Sequence, residues 1–484
     1  MSLEMLTDLY EFSMANGYYQ TLPHDKQARF DVFYRNAPDE DSFVLSAGLM
    51  QIIEEVKNWH FTKEDIDYLR ALNKFSDEKF SDEFLTFLKD AKNKCTINAM
   101  TEGTPLLPRE PFLTISGPLI EVQLLETLVL NIFNHQSLIA TKAWQITHAA
   151  QGRAVMEFGA RRAQGPDAAT YGARAAIIGG CTSTSNVLAG QKFNIPVAGT
   201  MAHAWIESFP DELTAFKAWA KIYPDTASLL VDTYDVVKSG VPNAIKVFQE
   251  LKAQGHRPLS IRIDSGDITR LAKKARQMLD DAGLSEVKIT ASNALDAHIV
   301  KSLLNEEAPI DNFGIGERLI TSSSSPVLGG VYKMSALENK GQWVPKIKIS
   351  NSREKITLPG NKQVYRLYSR NDPKHAFADI IALADEKLRD KITAIDSDVH
   401  ATSDVVTLTD FTARPLLHQV LAGQKAAPIE TDTFAIQKYA KEQIAELPEE
   451  TKRLVNPDHY PVYLTKKLAD LQKKLIAEYE EVKL

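Results

Sequence analysis

The chain contains 484 residues, of which 44% are hydrophobic and 25% charged, and its formal net charge is −7 at pH 7. Because single hydrophobic cores stop growing at about 250 to 300 residues, a chain of this length is expected to form more than one domain. Its apolar runs are too short for a membrane helix, it has no basic tract for nucleic acid, and its N-terminus lacks a secretory pattern. We therefore expect a cytoplasmic protein that takes neither membrane nor nucleic acid as a partner.

Residues 1–130 mix helical and strand patterns. An amphipathic segment runs from Leu6 to Tyr19, apolar and polar residues alternate from Phe30 to Phe33, and charged helical patterns extend from Glu54 to Asn93. Alternation indicates a strand, whereas apolar residues recurring at three and four positions indicate a helix. We interpret this region as the N-terminal α+β part of an outer domain.

Residues 131–335 alternate short β-branched segments with amphipathic patterns at the spacing of βαβ units. The predicted strands are, in order, Ala154–Phe158, Ile195–Ala198, Ser228–Val231, Leu259–Ile263, Val287–Ala291 and Asn312–Ile315. The predicted helices are Glu212–Tyr223, Val236–Gln254, Ile268–Ala282 and Leu295–Asn305, the last three capped by Asp235, Asp267 and Asn293. This pattern predicts an α/β fold in which a parallel sheet closes into an irregular α/β barrel, the catalytic domain.

Residues 336–484 return to a mixed pattern. Strands are predicted at Val344–Ile349 and Gln363–Tyr368, on either side of a turn at Pro359-Gly360, and a charged helical tail runs from Leu464 to Lys483. We interpret this region as the C-terminal part of the outer domain.

Charged side chains follow several strands of the predicted barrel. His203 comes shortly after the second strand, Asp232 ends the third, and Arg262 and Asp264 lie within and directly after the fourth. Ligands gather beyond the carboxyl ends of parallel strands, so these groups are candidates for one site. The two carboxylates suit Mg²⁺ or ribose hydroxyls, and an arginine inside a strand needs an anionic partner. His203 alone is compatible with a structural, an acid–base or a nucleophilic role.

Two loops of this region have features of phosphate sites. Arg161 and Arg162 follow a glycine at the end of the first strand, and arginine suits bidentate contacts to phosphate. After the sixth strand, the segment Asn312-Phe-Gly-Ile-Gly316 leads to Glu317 and Thr321, and barrels often bind phosphate through backbone amides at such late loops. A Gly-x-Gly pattern alone is weak evidence, and no Gly-x-x-x-x-Gly-Lys-Ser/Thr loop is present.

Taken together, these segments resemble the nicotinate phosphoribosyltransferase family, whose members are type II phosphoribosyltransferases on an irregular α/β barrel. The resemblance covers nearly the whole chain. It rests on Leu6-Thr-Asp-Leu-Tyr10, Phe30-Asp-Val-Phe-Tyr-Arg35, Glu157-Phe-Gly-Ala-Arg-Arg-Ala-Gln-Gly165, Gly199-Thr-Met-Ala-His203, Arg262-Ile-Asp-Ser-Gly-Asp267, Gly314-Ile-Gly316 and Leu328-Gly-Gly-Val-Tyr-Lys333.

The resemblance implies a reaction of nicotinate, 5-phosphoribosyl 1-pyrophosphate, ATP and water. The products would be nicotinate mononucleotide, pyrophosphate, ADP and phosphate, in the first step of NAD biosynthesis from nicotinate. His203 matches the phosphorylated histidine of the family, and a neutral imidazole has a lone pair that attacks the γ-phosphate. Mg²⁺ is the implied cofactor and ATP a co-substrate, and family members are homodimers whose subunits share the active site.

The resemblance also implies a role for each site residue. Those near nicotinate would be Tyr10, contributed by the partner subunit, with Phe158, Thr200 and Arg262. Those near phosphoribosyl pyrophosphate would be Arg161, Asp232, Asp264, Gly314, Gly316, Glu317 and Thr321. Mg²⁺ would meet Asp232 and Asp264 indirectly, through pyrophosphate and water. Glu317 stands where relatives have threonine, so only its backbone N–H is expected to contact phosphate, and Thr321 would supply the hydroxyl.

Other functions stay open. The nearest are a nicotinamide or quinolinate phosphoribosyltransferase, although Gly179–Ser185 offers hydroxyls where nicotinamide-using relatives have an acidic residue. Such a carboxylate would repel nicotinate, so the acid is the favoured substrate. A barrel lyase with Lys288 as a Schiff base and a catalytically silent interaction protein belong to other classes.

Overall fold

The computed structural model describes residues 3–74, 79–397 and 405–481. The chain divides into two compact units. Unit 1 comprises residues 1–138, 327–431 and 438–484, and unit 2 comprises residues 139–326 and 432–437. The domain boundaries expected from the sequence, after residues 130 and 335, stay predictions. Within the described ranges, no helix combines the length and the apolar character that crossing a bilayer requires.

The α-helices lie before residue 321 and after residue 432 of the described chain. They are α1 (Leu9–Thr21), α2 (Leu49–Asn58), α3 (Lys63–Leu72), α4 (Asp82–Asp90), α5 (Leu119–Gln123), α6 (Glu126–Ala149), α7 (Pro166–Ile178), α8 (Val187–Phe193), α9 (His203–Glu207), α10 (Glu212–Ile222), α11 (Val241–Ala253), α12 (Ile268–Asp281), α13 (Ala297–Asn305), α14 (Glu317–Ile320), α15 (Thr433–Ala445) and α16 (Lys466–Glu481). The predicted end of the tail, at Lys483, lies outside the described residues.

The strands are most closely spaced in the C-terminal third. They are β1 (Gln27–Tyr34), β2 (Val44–Leu45), β3 (Thr96–Ala99), β4 (Pro105–Leu106), β5 (Leu113–Pro118), β6 (Ala154–Glu157), β7 (Ser183–Thr184), β8 (Ser228–Leu230), β9 (Ser260–Ile263), β10 (Lys288–Asn293), β11 (Asn312–Ile315), β12 (Gly330–Asn339), β13 (Gln342–Pro345), β14 (Lys362–Ser369), β15 (Asp372–Leu383), β16 (Lys391–Asp396), β17 (Val405–Thr409), β18 (Phe411–Pro415), β19 (His418–Ala422), β20 (Lys425–Ala426) and β21 (Val462–Thr465).

Unit 2 is built on a six-stranded sheet in the order β7-β6-β11-β10-β9-β8, with every neighbouring pair parallel. The strands are short and mostly buried, as parallel strands covered by helices on both faces are. The α/β class with a parallel sheet is therefore confirmed. Among the described residues no ladder joins the outer strands β7 and β8, so closure into a barrel stays a prediction.

The predicted strand Ile195–Ala198 is wrong as a strand. Only Val197 forms a bridge, parallel to Thr184 at the edge of the sheet. Pro196 has no N–H to donate, and its carbonyl accepts the Thr184 N–H at 3.1 Å while the Ala198 N–H reaches the Thr184 carbonyl at 2.9 Å. The segment therefore follows β7 without becoming a regular member of the sheet.

Two predicted helix starts also differ. The helix expected from Val236 begins as a π-helical turn, and the regular helix α11 starts only at Val241. A Cβ at Gly240 would lie 1.9 Å from the Val231 carbonyl oxygen, so this turn packs directly on the backbone after β8. Asn293 does not cap the helix expected from Leu295, because α13 begins later and Asp296 accepts the Ile299 N–H at 2.9 Å. Asp235 and Asp267 are caps, as predicted.

Unit 1 contains two larger antiparallel-rich sheets. One has seven strands in the order β13-β12-β1-β5-β3-β19-β20, the other six in the order β17-β16-β21-β15-β14-β18, and β2 pairs with β4. The strand predicted at Val344–Ile349 ends at Pro345, where the missing N–H stops an edge strand. The helical tail begins after Thr465, because the predicted start at Leu464 lies in β21.

Candidate active site

The carboxyl ends of the parallel strands of unit 2 bring most of the predicted site residues to one edge of the sheet. Phe158 follows β6, Asp232 follows β8, Asp264 follows β9 and Gly316 follows β11. Because all these strands are parallel, the residues after each of them emerge on the same side. The sequence argument for a shared edge is thus supported by the topology.

His203 is the first residue of α9 and faces Asp232. Its Nε2 lies 3.3 Å from Asp232 Oδ1. The histidine side chain is 43% exposed, whereas that of Asp232 is only 2% exposed. The ring is therefore anchored on one edge by a buried carboxylate while a large part of it stays open to solvent.

Asp232 also connects two neighbouring strands. Its Oδ2 accepts the backbone N–H of Asp264 at 3.1 Å and the hydroxyl of Ser265 at 2.6 Å. Asp264 in turn accepts a short hydrogen bond from the hydroxyl of Ser292, at the end of β10. The carboxyl ends of β8, β9 and β10 are thus linked through two carboxylates.

Arg262 lies in β9 beside these carboxylates. Burial lowers the pKa of its guanidinium, and the nearby charges of Asp264 and Asp232 offset this only in part. Its Nε is buried and has no hydrogen-bond partner among the described residues. A buried guanidinium N–H without an acceptor is costly, and an anionic ligand would remove that cost.

The ring of Phe158 lies over Gly314. A Cβ at Gly314 would come within 2.7 Å of two ring carbons, so this position requires glycine for the ring to pack. The loop is held by the buried Glu157, which accepts hydrogen bonds from the Gly159 N–H and from the Thr184 hydroxyl, the latter at 2.6 Å. Burial raises the pKa of Glu157. The loop that carries Phe158 is therefore held in place by the buried carboxyl group of Glu157.

The two predicted phosphate loops meet in an ion pair. Arg162 Nε lies 3.6 Å from Glu317 Oε2, and both side chains are more than half exposed. The hydroxyl of Thr321 donates to the Glu317 carbonyl at 2.7 Å. Arg161 is exposed and close enough to Arg262 to lower the pKa of that residue. Glu317 therefore pairs with Arg162, and Arg162 is the neighbour of Arg161, which was predicted to bind phosphoribosyl pyrophosphate.

Two further residues, Thr200 and Tyr10, were predicted to lie near nicotinate. Thr200 precedes α9, and its hydroxyl donates to the Met201 carbonyl at 3.1 Å. Tyr10 lies in α1 of unit 1 and is 47% exposed. Burial, followed by the charges of Glu126, Glu11 and Asp8, raises the pKa of Tyr10 to about 12. Its predicted place in the active site of a partner subunit stays a prediction.

No group of three or more histidine, cysteine, aspartate or glutamate side chains that could hold a metal ion occurs within residues 3–74, 79–397 and 405–481. Protein side chains alone therefore offer no metal cage in this part of the chain.

Three family models match consecutive parts of the chain. The nicotinate phosphoribosyltransferase N-terminal domain matches residues 5–134, the nicotinate phosphoribosyltransferase family residues 153–371, and the C-terminal domain residues 361–472. A nicotinate phosphoribosyltransferase of Bacillus subtilis strain 168 is 42% identical over 468 residues, which cover 96% of this chain and 93% of that protein. The chain belongs to the nicotinate phosphoribosyltransferase family.

Solved structures agree with this assignment. The crystal structure of human nicotinic acid phosphoribosyltransferase aligns with a TM-score of 0.84 at 30% identity, covering 97% of this chain and 99% of that chain. A nicotinate-nucleotide pyrophosphorylase from Pyrococcus furiosus aligns with a TM-score of 0.68 at 23% identity, covering 92% and 95%, and shows a shared fold. The resemblance identified from the sequence motifs is confirmed.

Sequence reasoning missed three supporting residues of the site. Ser265 and Ser292 donate to the two aspartates, and Glu157 supports the loop of Phe158. Ser265 and Glu157 stand inside segments that carried the resemblance, so their proximity to the site was visible. No signal in the sequence marked Ser292, because its role depends on β10 lying beside β9.

Proposed function

We propose that this protein converts nicotinate and 5-phosphoribosyl 1-pyrophosphate into nicotinate mononucleotide and pyrophosphate, with hydrolysis of ATP to ADP and phosphate. The observation that carries this is Arg262, a partly buried strand arginine whose buried Nε lacks a partner among the described residues, at an edge where His203 and two aspartates converge. The family match supplies the substrate class. The proposal includes a cytoplasmic homodimer that carries out the first step from nicotinate to NAD.

Nicotinate combines a flat ring with a carboxylate, and the residues of this edge suit both. The ring would stack on Phe158, whose position over Gly314 is fixed by packing. The carboxylate would accept hydrogen bonds from Arg262, which lacks an anionic hydrogen-bond partner of its own among the described residues. The Thr200 hydroxyl would lie near this carboxylate, and Tyr10 of the partner subunit would cover the opposite face of the ring.

Phosphoribosyl pyrophosphate needs cations for phosphate and carboxylates for ribose hydroxyls. Arg161 is exposed beside Arg262 and supplies the positive charge. Asp264 would accept from a ribose hydroxyl, since only one of its oxygens receives a hydrogen bond from a described residue. The backbone around Gly316 and Glu317 would hold the 5′-phosphate, and the Thr321 oxygen would accept or donate there after its present bond rearranges.

The residues fit a magnesium ion held mainly by substrate. Asp232 already uses both oxygens on protein donors, and Asp264 retains one oxygen without a donor in the described chain. Mg²⁺ keeps several waters and is commonly bound by one or two carboxylates together with substrate phosphates. When bound, it would neutralise charge that develops on the leaving pyrophosphate. Asp264 would therefore offer an oxygen to the ion or to its water, and Asp232 would hold the backbone of Asp264.

ATP would phosphorylate His203. The ring lies next to the proposed pyrophosphate site, since Asp232 contacts both His203 and the backbone of Asp264. A phosphoryl group on His203 would add negative charge beside Mg²⁺ and pyrophosphate. This charge would order the loops at this edge of the sheet before the phosphoribosyl group is transferred. Hydrolysis of the phosphohistidine after this transfer would return the site to its unphosphorylated state and release the products.

The competing lyase is disfavoured by the position of Lys288. This lysine is the first residue of β10 and is exposed, so it lies at the amino end of the strand. Active sites of such folds lie at the carboxyl ends, where His203 and Asp264 are found.

The deciding assay offers nicotinate, nicotinamide and quinolinate separately with phosphoribosyl pyrophosphate and Mg-ATP, and measures pyrophosphate release and ADP formation. We expect fast turnover with nicotinate and ADP formed in step with pyrophosphate. Faster turnover with nicotinamide or quinolinate would overturn the substrate assignment. Full ATP stimulation of the His203→Ala variant would overturn the phosphohistidine step.

A further inference from the structure

The loop that follows β6 and the loop that follows β11 lie side by side. The Phe158 N–H donates to the Ile315 carbonyl at 2.8 Å. A Cβ at Gly159 would come within 2.6 Å of the Ile320 Cβ and within 2.8 Å of the Gly316 carbonyl oxygen, so glycine is needed for this approach. The backbone of one loop therefore packs directly against the other loop.

Two side chains of opposite charge meet across this contact. Arg162 is the last residue of a short 3₁₀ turn in the first loop, and Glu317 follows Gly316 in the second. Arg162 Nε lies 3.6 Å from Glu317 Oε2, and the two side chains are 58% and 54% exposed. Because an ion pair this exposed adds little to stability, its main effect is on the charge of the loop.

We infer that Arg162 is a positioning residue that neutralises Glu317 and holds its carboxylate away from the substrate phosphate. The inference rests on the proposed function, in which the backbone around Gly316 and Glu317 holds the 5′-phosphate. Arg162 acts through Glu317 and does not itself touch the substrate.

The need for such a residue follows from the charge of Glu317. This residue would offer the phosphate a backbone N–H while carrying a carboxylate on its own side chain. The carboxylate and the phosphate repel each other, and the repulsion weakens binding unless a cation cancels it. The guanidinium of Arg162 supplies that cation and also fixes the direction in which the glutamate side chain extends. A loop with glutamate at this position can then accept a phosphate.

The neighbouring arginines have other surroundings. Burial lowers the pKa of Arg262, and the charge of Arg161 lowers it further, so Arg161 lies towards Arg262. Arg318, which follows Glu317, pairs with Asp296 at the start of α13. Arg162 is therefore the arginine of these two loops that matches the charge of Glu317.

The test titrates the full-length protein with 5-phosphoribosyl 1-pyrophosphate and Mg²⁺ in a calorimeter, without nicotinate or ATP. The Arg162→Gln substitution uncovers the charge of Glu317, and we expect Kd to rise at least about tenfold. In Glu317→Gln the charge is absent, so Kd should equal or fall below that of the wild type. Unchanged binding by Arg162→Gln, or weaker binding by Glu317→Gln, would overturn the inference.

The double variant distinguishes charge neutralisation from direct contact with phosphate. If Arg162 acts only on Glu317, replacing both residues by glutamine should return Kd to within about threefold of the wild type. A double variant that binds as weakly as Arg162→Gln would show that Arg162 touches the phosphate, which overturns the inference and leaves the proposed function intact. Absence of binding by the wild type would overturn the proposed function and the inference with it.

The matched control is another exposed ion pair of unit 2. Lys217 Nζ and Glu250 Oε1 lie 2.7 Å apart, and their side chains are 48% and 50% exposed. Lys217→Gln and Glu250→Gln should bind phosphoribosyl pyrophosphate as the wild type does, and equal weakening by Lys217→Gln and Arg162→Gln would overturn the inference. All four substitutions are at exposed positions, so the variants should fold, which denaturant unfolding checks.

Steady-state kinetics give a second measurement. Arg162→Gln should raise KM for phosphoribosyl pyrophosphate and leave KM for nicotinate unchanged, and the double variant should regain the wild-type value. A general loss of structure would change both KM values and would not be reversed by Glu317→Gln. Such a result would contradict the positioning role.

Discussion

Arg366 in unit 1 and Arg262 in unit 2 are both arginines placed within β-strands, but their surroundings differ. Arg366 Nε donates to Asp379 Oδ1 at 3.0 Å, and its Nη2 donates to Asp379 Oδ2 at 2.8 Å and to the Pro105 carbonyl at 2.9 Å. Arg262 makes no such pair, and its buried Nε has no partner within the described residues.

The pKa directions follow from this difference. Burial alone would lower the pKa of Arg366, yet the charge and hydrogen bonds of Asp379 raise it well above its usual value. Burial lowers the pKa of Arg262, and Asp264 and Asp232 do not fully compensate. Each guanidinium has one buried nitrogen without a hydrogen-bond partner among the described residues, Nη1 in Arg366 and Nε in Arg262. Arg366 is nevertheless paired with a carboxylate of its own chain, as a structural cation is, whereas Arg262 has no such hydrogen-bonded pair at an edge lined by polar groups, which suits it to a ligand.

Breaking the Arg366–Asp379 ion pair should give the largest loss of stability. Asp379→Ala leaves the Arg366 guanidinium buried without its carboxylate, and the side chain of Arg366 is 0% exposed. We expect the free energy of unfolding to fall by about 3 to 5 kcal/mol. Denaturant unfolding measures it, and kcat of the remaining folded enzyme should be unchanged. A loss smaller than that of an exposed pair such as Lys63–Asp67 would contradict the structural role.

Removing the guanidinium of Arg262 should lower catalytic activity rather than stability. For Arg262→Gln we expect kcat/KM for nicotinate to fall about a hundredfold, or about 3 kcal/mol, because charged hydrogen bonds to the substrate are lost. The free energy of unfolding should not decrease, since the substitution removes a partly buried guanidinium whose desolvation the nearby aspartates offset only in part. Arg257→Gln, an exposed arginine of the same unit, is the control. Destabilisation by Arg262→Gln with unaltered kcat/KM would reverse the assignment.

Glu11 is a buried acidic residue, in contrast to the two arginines. Burial is the main reason that its pKa rises from 4.5 to about 7, and the Thr127 hydroxyl that donates to it offsets this only in part. Between these two pKa values the folded state binds more protons than the unfolded state, so stability falls as pH rises through this window. We expect a loss of about 2 to 3 kcal/mol, complete above the folded pKa. Unfolding measured across the window should show a steeper slope in the wild type than in Glu11→Gln, in which other buried carboxyls with a raised pKa, such as Glu157, still contribute. Equal slopes in both proteins would contradict the role of Glu11.

The smallest effect is expected from Gly314→Ala. The added Cβ would lie 2.7 Å from two carbons of the Phe158 ring, which must then move. We expect KM for nicotinate to rise about tenfold with little change in kcat, because ring stacking is lost mainly in binding. Gly17→Ala, where no atom lies within 4 Å of the new Cβ, should leave KM unchanged. Equal effects of both substitutions would argue against a packed aromatic face.

Sequence patterns located the strands that carry the site. The strand predicted at Asn312–Ile315 has these bounds in the structure, and the predicted starts or ends of β6, β8 and β9 differ by one residue. These strands are short β-branched runs between turn residues, a pattern that depends on local sequence alone. The edge on which Asp232 and Asp264 meet followed from their places after parallel strands.

Other features depend on contacts that local sequence does not encode. Ile195–Ala198 is apolar enough for a strand, yet Pro196 and its place outside β7 prevent one. The site partner Ser292 is set by sheet order, and Asn293 has a φ of 111°, a left-handed conformation that no capping pattern predicts. The strands of unit 1 after residue 372 were not predicted, because their pairings are long-range.

The central claim is that Arg262, whose Nε has no hydrogen-bond partner among the described residues, binds the carboxylate of nicotinate. The most direct measurement is calorimetric titration of wild type and Arg262→Gln with nicotinate and with nicotinamide, in the presence of phosphoribosyl pyrophosphate. The wild type should bind nicotinate far more tightly than nicotinamide, and the variant should lose most of that preference while its affinity for nicotinamide changes little. An undiminished preference for nicotinate in Arg262→Gln would contradict the account.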